Sequence, residues 1–319
     1  MEDYPQNLSE FEKRFSDEAT CREYLLRLRW PEGFVCCRCG SRKGWTTNRR
    51  SKILCSRCRY DTSVMAGTVF EKTHQPLITW FRAMWWVTNQ KTGVSALSLK
   101  RLIGLGSYRT AWTMLHKLRT AMVRPGRERL SGRVEVDDTY IGGLEEGIRG
   151  RHLGKKALIV IAAEEDGKGI GRIRISQVAD ASGKSLHAFI EESIDSGSNV
   201  HTDDWNGYEG LEQKGYTHRV TTLSKSPKAA HQLLPRVHRV ASLLKRWLLG
   251  THQGAVSHEH LQGYLNEFIF RFNRRASAHR GKLFYRLVQQ SASVEPVTYK
   301  AMVRDVRELR RLRVQNHKM

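Results

Sequence analysis

Four of the chain's six cysteines fall into two tight pairs. Two residues separate Cys36 from Cys39 and Cys55 from Cys58, and 15 residues lie between the pairs. Each pair can close a knuckle over a metal ion, and Zn²⁺ prefers four thiolates in a tetrahedron. Since protein ligands fill all four positions, the spacing predicts a structural zinc site with no open coordination position.

A second constellation consists of two aspartates in segments that read as strands. Asp137 lies within the apolar-flanked residues 134–138, and Asp203 ends residues 199–203. A buried carboxylate in such a strand costs folding free energy unless it binds a metal ion or another partner. Two-metal phosphoryl transfer uses carboxylates from different elements to hold two Mg²⁺ ions about 4 Å apart. Either aspartate alone is more typical of a turn or a helix cap, but the two together favour a catalytic metal site.

The elements that must position these aspartates follow an α/β pattern. Strands are predicted at residues 132–141, 156–163, 171–178, 199–203 and 219–222. Helices are expected between the third and fourth strands, around 208–213, and over 234–249. Three strands, a helix and a further strand predict one mixed sheet in an α/β fold.

The front of the chain has a different character. Residues 1–30 read as a short amphipathic leader, and the stretch from Cys36 to Cys58 shows little helical or strand periodicity. A helix is predicted after Pro76. Two more, at 95–102 and 108–122, flank a glycine turn, so a helix-turn-helix domain is a candidate. Reading of DNA and plain helix packing explain this pattern equally well.

At this point the sequence resembles a known family, the zinc-ribbon insertion-sequence transposases related to eukaryotic Merlin elements. Residues 134–143, Val-Glu-Val-Asp-Asp-Thr-Tyr-Ile-Gly-Gly, are similar to the family's first-aspartate motif, and residues 202–208, Thr-Asp-Asp-Trp-Asn-Gly-Tyr, to its second. Further similar segments lie at 62–68, 248–252 and 268–275. The resemblance implies an RNase H-like catalytic core and DDE-type chemistry, in which metal-activated water cuts DNA and the freed 3′-hydroxyl attacks target DNA.

The same resemblance points to a third metal ligand, but the residue there is not acidic. The family places an acidic residue about 35 positions after the second aspartate, on a helix, with a basic residue two turns later. Here those positions hold His238 and Lys245. A neutral imidazole can bind a divalent ion and suits Mn²⁺ better than Mg²⁺. Contact of His238 with phosphate is one alternative, and Glu267 is another candidate for the third ligand, although an ion pair with Arg271 would also explain it.

The charge balance identifies the expected partner. The chain holds 54 Lys and Arg against 32 Asp and Glu, a formal net charge of +22, which favours a polyanion such as DNA. Cations in the ribbon and the last third are candidate phosphate contacts, as is the basic stretch at 304–313. The candidates are Arg42, Lys43, Arg49, Arg50, Arg246, Arg271, Arg274 and Arg275.

These observations predict five segments. We expect a helical leader at 1–30, a zinc ribbon at 31–74, a helical DNA-binding domain at 75–126, an RNase H-like catalytic domain at 127–290 and a basic tail at 291–319. No long apolar span or secretory signal is evident, so we expect no membrane partner and a cytoplasmic, nucleoid-associated protein that forms a homo-oligomer on DNA. The alternatives are a transposase-derived DNA-binding regulator and a stand-alone RNase H-like nuclease.

Overall fold

The computed structural model describes residues 2–47, 52–142, 156–222 and 229–303. By internal contacts the chain divides into two compact units, one built from residues 1–125 and 276–319 and the other from Gly126–Arg275. Among the described residues, no helix is long and apolar enough to cross a bilayer.

The first unit begins with two capped helices. These are α1 (Leu8–Arg14) and α2 (Glu18–Arg29). The side chains of Asn7 and Asp17 each accept a hydrogen bond from a first-turn amide of the helix they precede. Since these amides have no partner within the helix, such caps fix where the helix starts.

A small antiparallel sheet follows, in the order β1 (Gly44–Thr47), β2 (Lys52–Cys55) and β3 (Asp61–Ser63). The sequence showed little strand periodicity in this region, but the structure contains three short strands. The strands are three or four residues long, and Ile53 is the one buried hydrocarbon side chain among the described residues of the sheet. An alternation read from the sequence needs a longer segment than these strands provide.

The helices of this unit are α3 (Leu77–Asn89), α4 (Ala96–Leu102), α5 (Tyr108–Ala121) and α10 (Arg280–Ser291). Aromatic side chains form their shared core. Phe11 stacks on Trp85 with ring centroids 4.7 Å apart, and Phe15 meets Phe81 edge-on at 5.0 Å. Phe284 of α10 contacts all four of these rings. The helix at 280–291 therefore completes the core of the first unit, whereas the sequence placed it in a catalytic domain ending at residue 290.

We expect Gly281→Ala to destabilise this unit by about 1–3 kcal/mol, because it forces an extra carbon into a packed site. A Cβ at Gly281 would lie 1.6 Å from the carbonyl oxygen of Pro5. Urea unfolding measures the change. Gly250→Ala is the matched control: Gly250 is also helical, but no atom lies within 4 Å of its added Cβ. Equal effects of the two substitutions would contradict the prediction.

The second unit is built on a five-stranded mixed sheet in the order β6-β5-β4-β7-β8. Its strands are β4 (Arg133–Ile141), β5 (Ala157–Asp166), β6 (Gly169–Val178), β7 (Asn199–Asp203) and β8 (Thr217–Thr221). β4, β5 and β6 pair antiparallel, whereas β7 and β8 run parallel to β4. The predicted mixed α/β fold is confirmed.

Helices cover both faces of this sheet. α6 (Gly183–Ser193) packs on one face, in a cluster that includes Val134, Val136 and Val200. α8 (Pro235–His252), preceded by the short α7 (Ala230–Leu233), and α9 (Leu261–Phe272) pack on the other face, against alternate residues of β5. Because side chains alternate along a strand, Glu135 and Asp137 lie on the α8 face. The helix expected around 208–213 is instead two 3₁₀ turns, Asn206–Tyr208 and Glu212–Lys214.

Candidate metal centres

The four paired cysteines lie together at one end of the small sheet. The Sγ atoms of Cys36 and Cys58 are 3.6 Å apart, as are those of Cys39 and Cys55, and all four atoms lie within 4.8 Å of one another. Four sulfurs at zinc-bond length from one ion would be separated by about 3.8 Å. The cluster therefore fits a tetrahedral Zn²⁺ ion, as the cysteine spacing predicted.

The electrostatics of the cluster also favour a bound cation. Backbone N–H groups, that of Cys58 first, lower the pKa of the Cys55 thiol to about 6. The Tyr60 amide also lowers the pKa of Cys58, but burial and the neighbouring sulfurs of Cys39, Cys36 and Cys55 outweigh it and raise that pKa to about 12. Four thiolates repel one another at this distance, and a divalent ion removes that penalty.

The two predicted catalytic aspartates lie on neighbouring parallel strands. The ladder between β4 and β7 pairs Val134 with Val200 and Glu135 with His201. The paired residues end there, and the same register extended by two residues would place Asp137 beside Asp203 on the same sheet face. The carboxylate of Asp203 also accepts a hydrogen bond from the backbone N–H of Trp205, at 3.2 Å.

Helix α8 places His238 against the first aspartate. His238 Nε2 lies 3.6 Å from Asp137 Oδ2, is buried, and makes no hydrogen bond. Both residues line a cavity of about 150 Å³ together with Asp138, Thr139 and Lys245. A buried imidazole nitrogen without a hydrogen-bond partner, 3.6 Å from a carboxylate oxygen, is an arrangement that suits two ligands of one divalent cation.

Lys245 lies on the same side of α8 as His238. Its Nζ donates a hydrogen bond to Thr139 Oγ1 at 2.9 Å, which holds the ammonium group at the edge of the cavity. Burial lowers the pKa of Lys245, and the nearby Asp137 carboxylate opposes that effect. Thr139 was not among the candidates from the sequence. It lies two residues after Asp137, so the alternation of β4 could have indicated it.

Burial also controls the charge of His238. It lowers the pKa of the imidazole, as do His231 and Lys245, against the opposing effect of the Glu135 and Asp203 carboxylates. The lowered pKa favours the neutral imidazole, which is the form that binds a metal ion.

The alternative third ligand occupies a different place. Glu267 is fully buried in α9, with a relative exposure of 0%, and is absent from the lining of the cavity that Asp137 and His238 share. The structure thus brings Asp137, His238 and Lys245 together around one cavity, and neither Glu267 nor Asp203 is part of its lining.

The second motif forms a turn that supports Asp203. Trp205 Nε1 donates a hydrogen bond to the carbonyl of Ala181 at 2.8 Å. A Cβ at Gly207 would lie 2.7 Å from that carbonyl oxygen and 2.8 Å from Leu186 Cδ1. Only glycine leaves room for this close approach, which explains the Trp-Asn-Gly sequence after the aspartates.

The candidate DNA-binding cations have different surroundings. Arg42, Lys43 and Arg246 are exposed. Arg275 stacks over the Phe272 ring at 4.0 Å and donates hydrogen bonds to the carbonyls of Ile170 and Gly171. The guanidinium of Arg274 stacks over Phe270 at 4.1 Å, and Arg271 occupies the last turn of α9. Arg49, Arg50 and the stretch 304–313 lie outside the described residues.

Comparisons with known proteins agree with this arrangement. Residues 129–273 match the ISXO2-like transposase domain, and residues 16–61 match the transposase zinc-ribbon domain. An uncharacterized protein in transposable element ISH50 of Halobacterium salinarum is 25% identical over 281 residues, covering 81% of this chain and 92% of that protein.

A solved structure also aligns with the chain. It is a chain of the simian T-cell lymphotropic virus intasome in complex with PP2A regulatory subunit B56 gamma, with 16% identity, a TM-score of 0.32, and coverage of 64% of this chain and 72% of that one. The two family matches agree with the resemblance found in the sequence: residues 16–61 are similar to a transposase zinc ribbon, and residues 129–273 are similar to an ISXO2-like transposase domain.

Proposed function

We propose that this protein is a DDE-type transposase that binds the ends of its insertion sequence, cleaves the DNA, and joins the freed 3′-hydroxyl to target DNA. The observation that carries the proposal is the unpartnered, buried Nε2 atom of His238, 3.6 Å from Asp137 Oδ2 in one cavity. Burial of an imidazole nitrogen without a hydrogen-bond partner is costly, and a divalent ion bound to it would remove the cost.

In the proposed mechanism, Asp137, Asp203 and His238 would hold divalent metal ions, Mg²⁺ or Mn²⁺, where β4 and β7 lie side by side. Bound metal ions would supply an activated nucleophile and neutralise charge on the phosphate. Lys245, fixed by Thr139, presents a cation to the scissile or target strand. Ile161 and Val237 are buried and form an apolar part of the cavity wall.

The first unit and the exposed cations are proposed to bind DNA. The ribbon's Arg42 and Lys43 and the catalytic unit's Arg246 are exposed, so they are available to backbone phosphates. Phosphate contacts position DNA without specifying a sequence, so α4 and α5 are the proposed readers of the element ends. Because transposition pairs two DNA ends, we expect a homo-oligomer on DNA, associated with the nucleoid.

A joining assay tests the function. The purified, zinc-loaded protein is incubated with a fragment that carries the element's own ends, target DNA, and Mg²⁺ or Mn²⁺. We expect cleavage at the ends followed by joined products. Binding without cleavage in either metal would favour the DNA-binding regulator, and cleavage without joining would favour the stand-alone nuclease.

The third ligand is tested by exchanging it. We expect His238→Glu to shift the preference from Mn²⁺ toward Mg²⁺, since a carboxylate adds a negative charge and a hard oxygen ligand. His238→Ala should lower the rate in both metals by roughly 10- to 100-fold. Glu267→Gln is the comparison. If His238→Ala cleaves like the wild type and Glu267→Gln does not, Glu267 takes the role of third ligand.

A further inference from the structure

A second buried carboxylate lies two residues before Asp137 on the same face of β4. Glu135 is only 5% exposed. Its Oε2 accepts hydrogen bonds from the backbone N–H groups of Arg236 at 2.7 Å and Val237 at 3.1 Å, and its Oε1 accepts one from Arg236 Nη1 at 2.8 Å. Both carboxylate oxygens are thus already bound to donors, so this residue is poorly placed to be a metal ligand.

The contacts of Glu135 fall at the start of α8. That helix begins at Pro235, which has no N–H, and its N-cap Leu234 provides no side-chain cap. Arg236 and Val237 therefore carry the first free amides of the helix, and a carboxylate there is favoured both by hydrogen bonding and by the helix dipole. Glu135 of β4, about 100 residues earlier in the chain, therefore caps the start of α8.

Arg236 extends this contact to the neighbouring hairpin. Its Nη2 lies 3.1 Å from Glu165 Oε1, and its guanidinium donates to the carbonyls of Gly167 and Gly169, each at 3.0 Å. These bonds tie the first turn of α8 to β4 and to the turn between β5 and β6. His238, the next residue after Val237, belongs to that same turn.

We infer that Glu135 is a positioning residue that sets the start of α8 and thereby holds His238 against Asp137. On this account β4 makes two successive contacts with α8: Glu135 binds the amides of 236 and 237, and Asp137 faces the imidazole of 238. The inference rests on the proposed function, because it assigns Glu135 a purpose in metal binding by that site.

Metal binding tests the inference without relying on activity. Electron paramagnetic resonance of Mn²⁺ added to the full-length, zinc-loaded protein gives the dissociation constant. We expect Glu135→Gln to raise it roughly 10- to 100-fold, the usual cost of losing a group that orients a ligand. The amide has the size of the carboxylate, but it turns an N–H toward donors that need an acceptor.

Glu164→Gln is the matched control. Glu164 is also buried, at 8% exposure, and its carboxylate binds the guanidinium of Arg172 and the amides of Ser131 and Arg172. It does not line the cavity of Asp137 and His238. We expect this variant to lose comparable thermal stability and to keep the wild-type affinity for Mn²⁺.

A double-mutant cycle separates positioning from general damage. If Glu135 acts through His238, Glu135→Gln should weaken Mn²⁺ binding no further once His238→Ala is present. Wild-type affinity in Glu135→Gln, equal losses in Glu135→Gln and Glu164→Gln, or additive losses in the double mutant would each overturn the inference.

A second variant serves if Glu135→Gln does not fold. Arg236→Lys keeps the positive charge but loses the guanidinium that binds Glu135 and the carbonyls of Gly167 and Gly169, so it should also weaken Mn²⁺ binding. Unchanged affinity in this variant would overturn the inference. If the wild type binds Mn²⁺ no better than Asp137→Ala, the metal site of the proposed function fails as well.

Discussion

Asp137→Ala is expected to abolish DNA cleavage and joining while leaving the binding of element-end DNA intact. Asp137 Oδ2 lies 3.6 Å from His238 Nε2, and Asp137 and His238 line the same cavity. Loss of Asp137 removes a ligand that the proposed metal ions need, and metal ions contribute several kcal/mol to phosphoryl transfer, so the rate should fall on the order of 1,000-fold. Gel analysis of cleaved and joined strands at saturating protein measures the loss.

Asp204→Ala is the control for this prediction. Asp204 carries the same charge, follows Asp203 directly, and is exposed in the turn of the second motif. It should retain cleavage within a few-fold of the wild type. A cleaving Asp137→Ala variant, or equal losses in the two variants, would refute the assignment of Asp137 as a metal ligand.

Loss of the zinc ligand set is expected to unfold the ribbon. Apparent zinc-binding free energies of about 10–16 kcal/mol serve as folding free energy in small zinc domains. In this ribbon, hydrophobic burial contributes little beside zinc binding, because Ile53 is the one buried hydrocarbon side chain among the described residues of the ribbon's sheet. Cys55→Ser should therefore lose stoichiometric zinc and bind element ends at least about tenfold more weakly, a change of about 1.4 kcal/mol.

Zinc content by mass spectrometry and end binding by fluorescence anisotropy measure these losses. Cys37→Ser is the matched control, since Cys37 is exposed and lies outside the four-sulfur cluster. It should keep both zinc and DNA affinity. A Cys55→Ser protein that retains one tightly held zinc ion would contradict the four-thiolate site.

The sequence predicted those parts of the fold whose signals are local. The strand at 199–203 agrees with β7 residue for residue, and the apolar run at 156–163 lies within one residue of the start of β5. The cysteine spacing specified the zinc cluster because each ligand pair closes over two residues. Period and spacing are properties of short segments, so these features could be read without any knowledge of tertiary contacts.

Other features depend on contacts between distant segments. The sequence indicates the apolar face of α10, but it does not indicate that this helix packs beside α3 in the first unit. The position of His238 followed from family spacing, whereas its contact with Asp137 depends on how α8 starts, and Glu135 sets that start from about 100 residues away. From the sequence alone, Glu135 resembles any other strand residue. Its contacts with the start of α8 are visible only in the structure.

The division of the chain has a consequence for synthesis on the ribosome. Gly126–Arg275 separates the two parts of the first unit, so Phe284 emerges only after the whole sheet domain has been made. At typical rates of synthesis this delay is on the order of ten seconds. During that time the rings of Phe11, Phe81 and Trp85 lack their last partner, and the nascent front end is exposed to chaperones and proteases. A fragment that stops at Pro125 would remain permanently in that state.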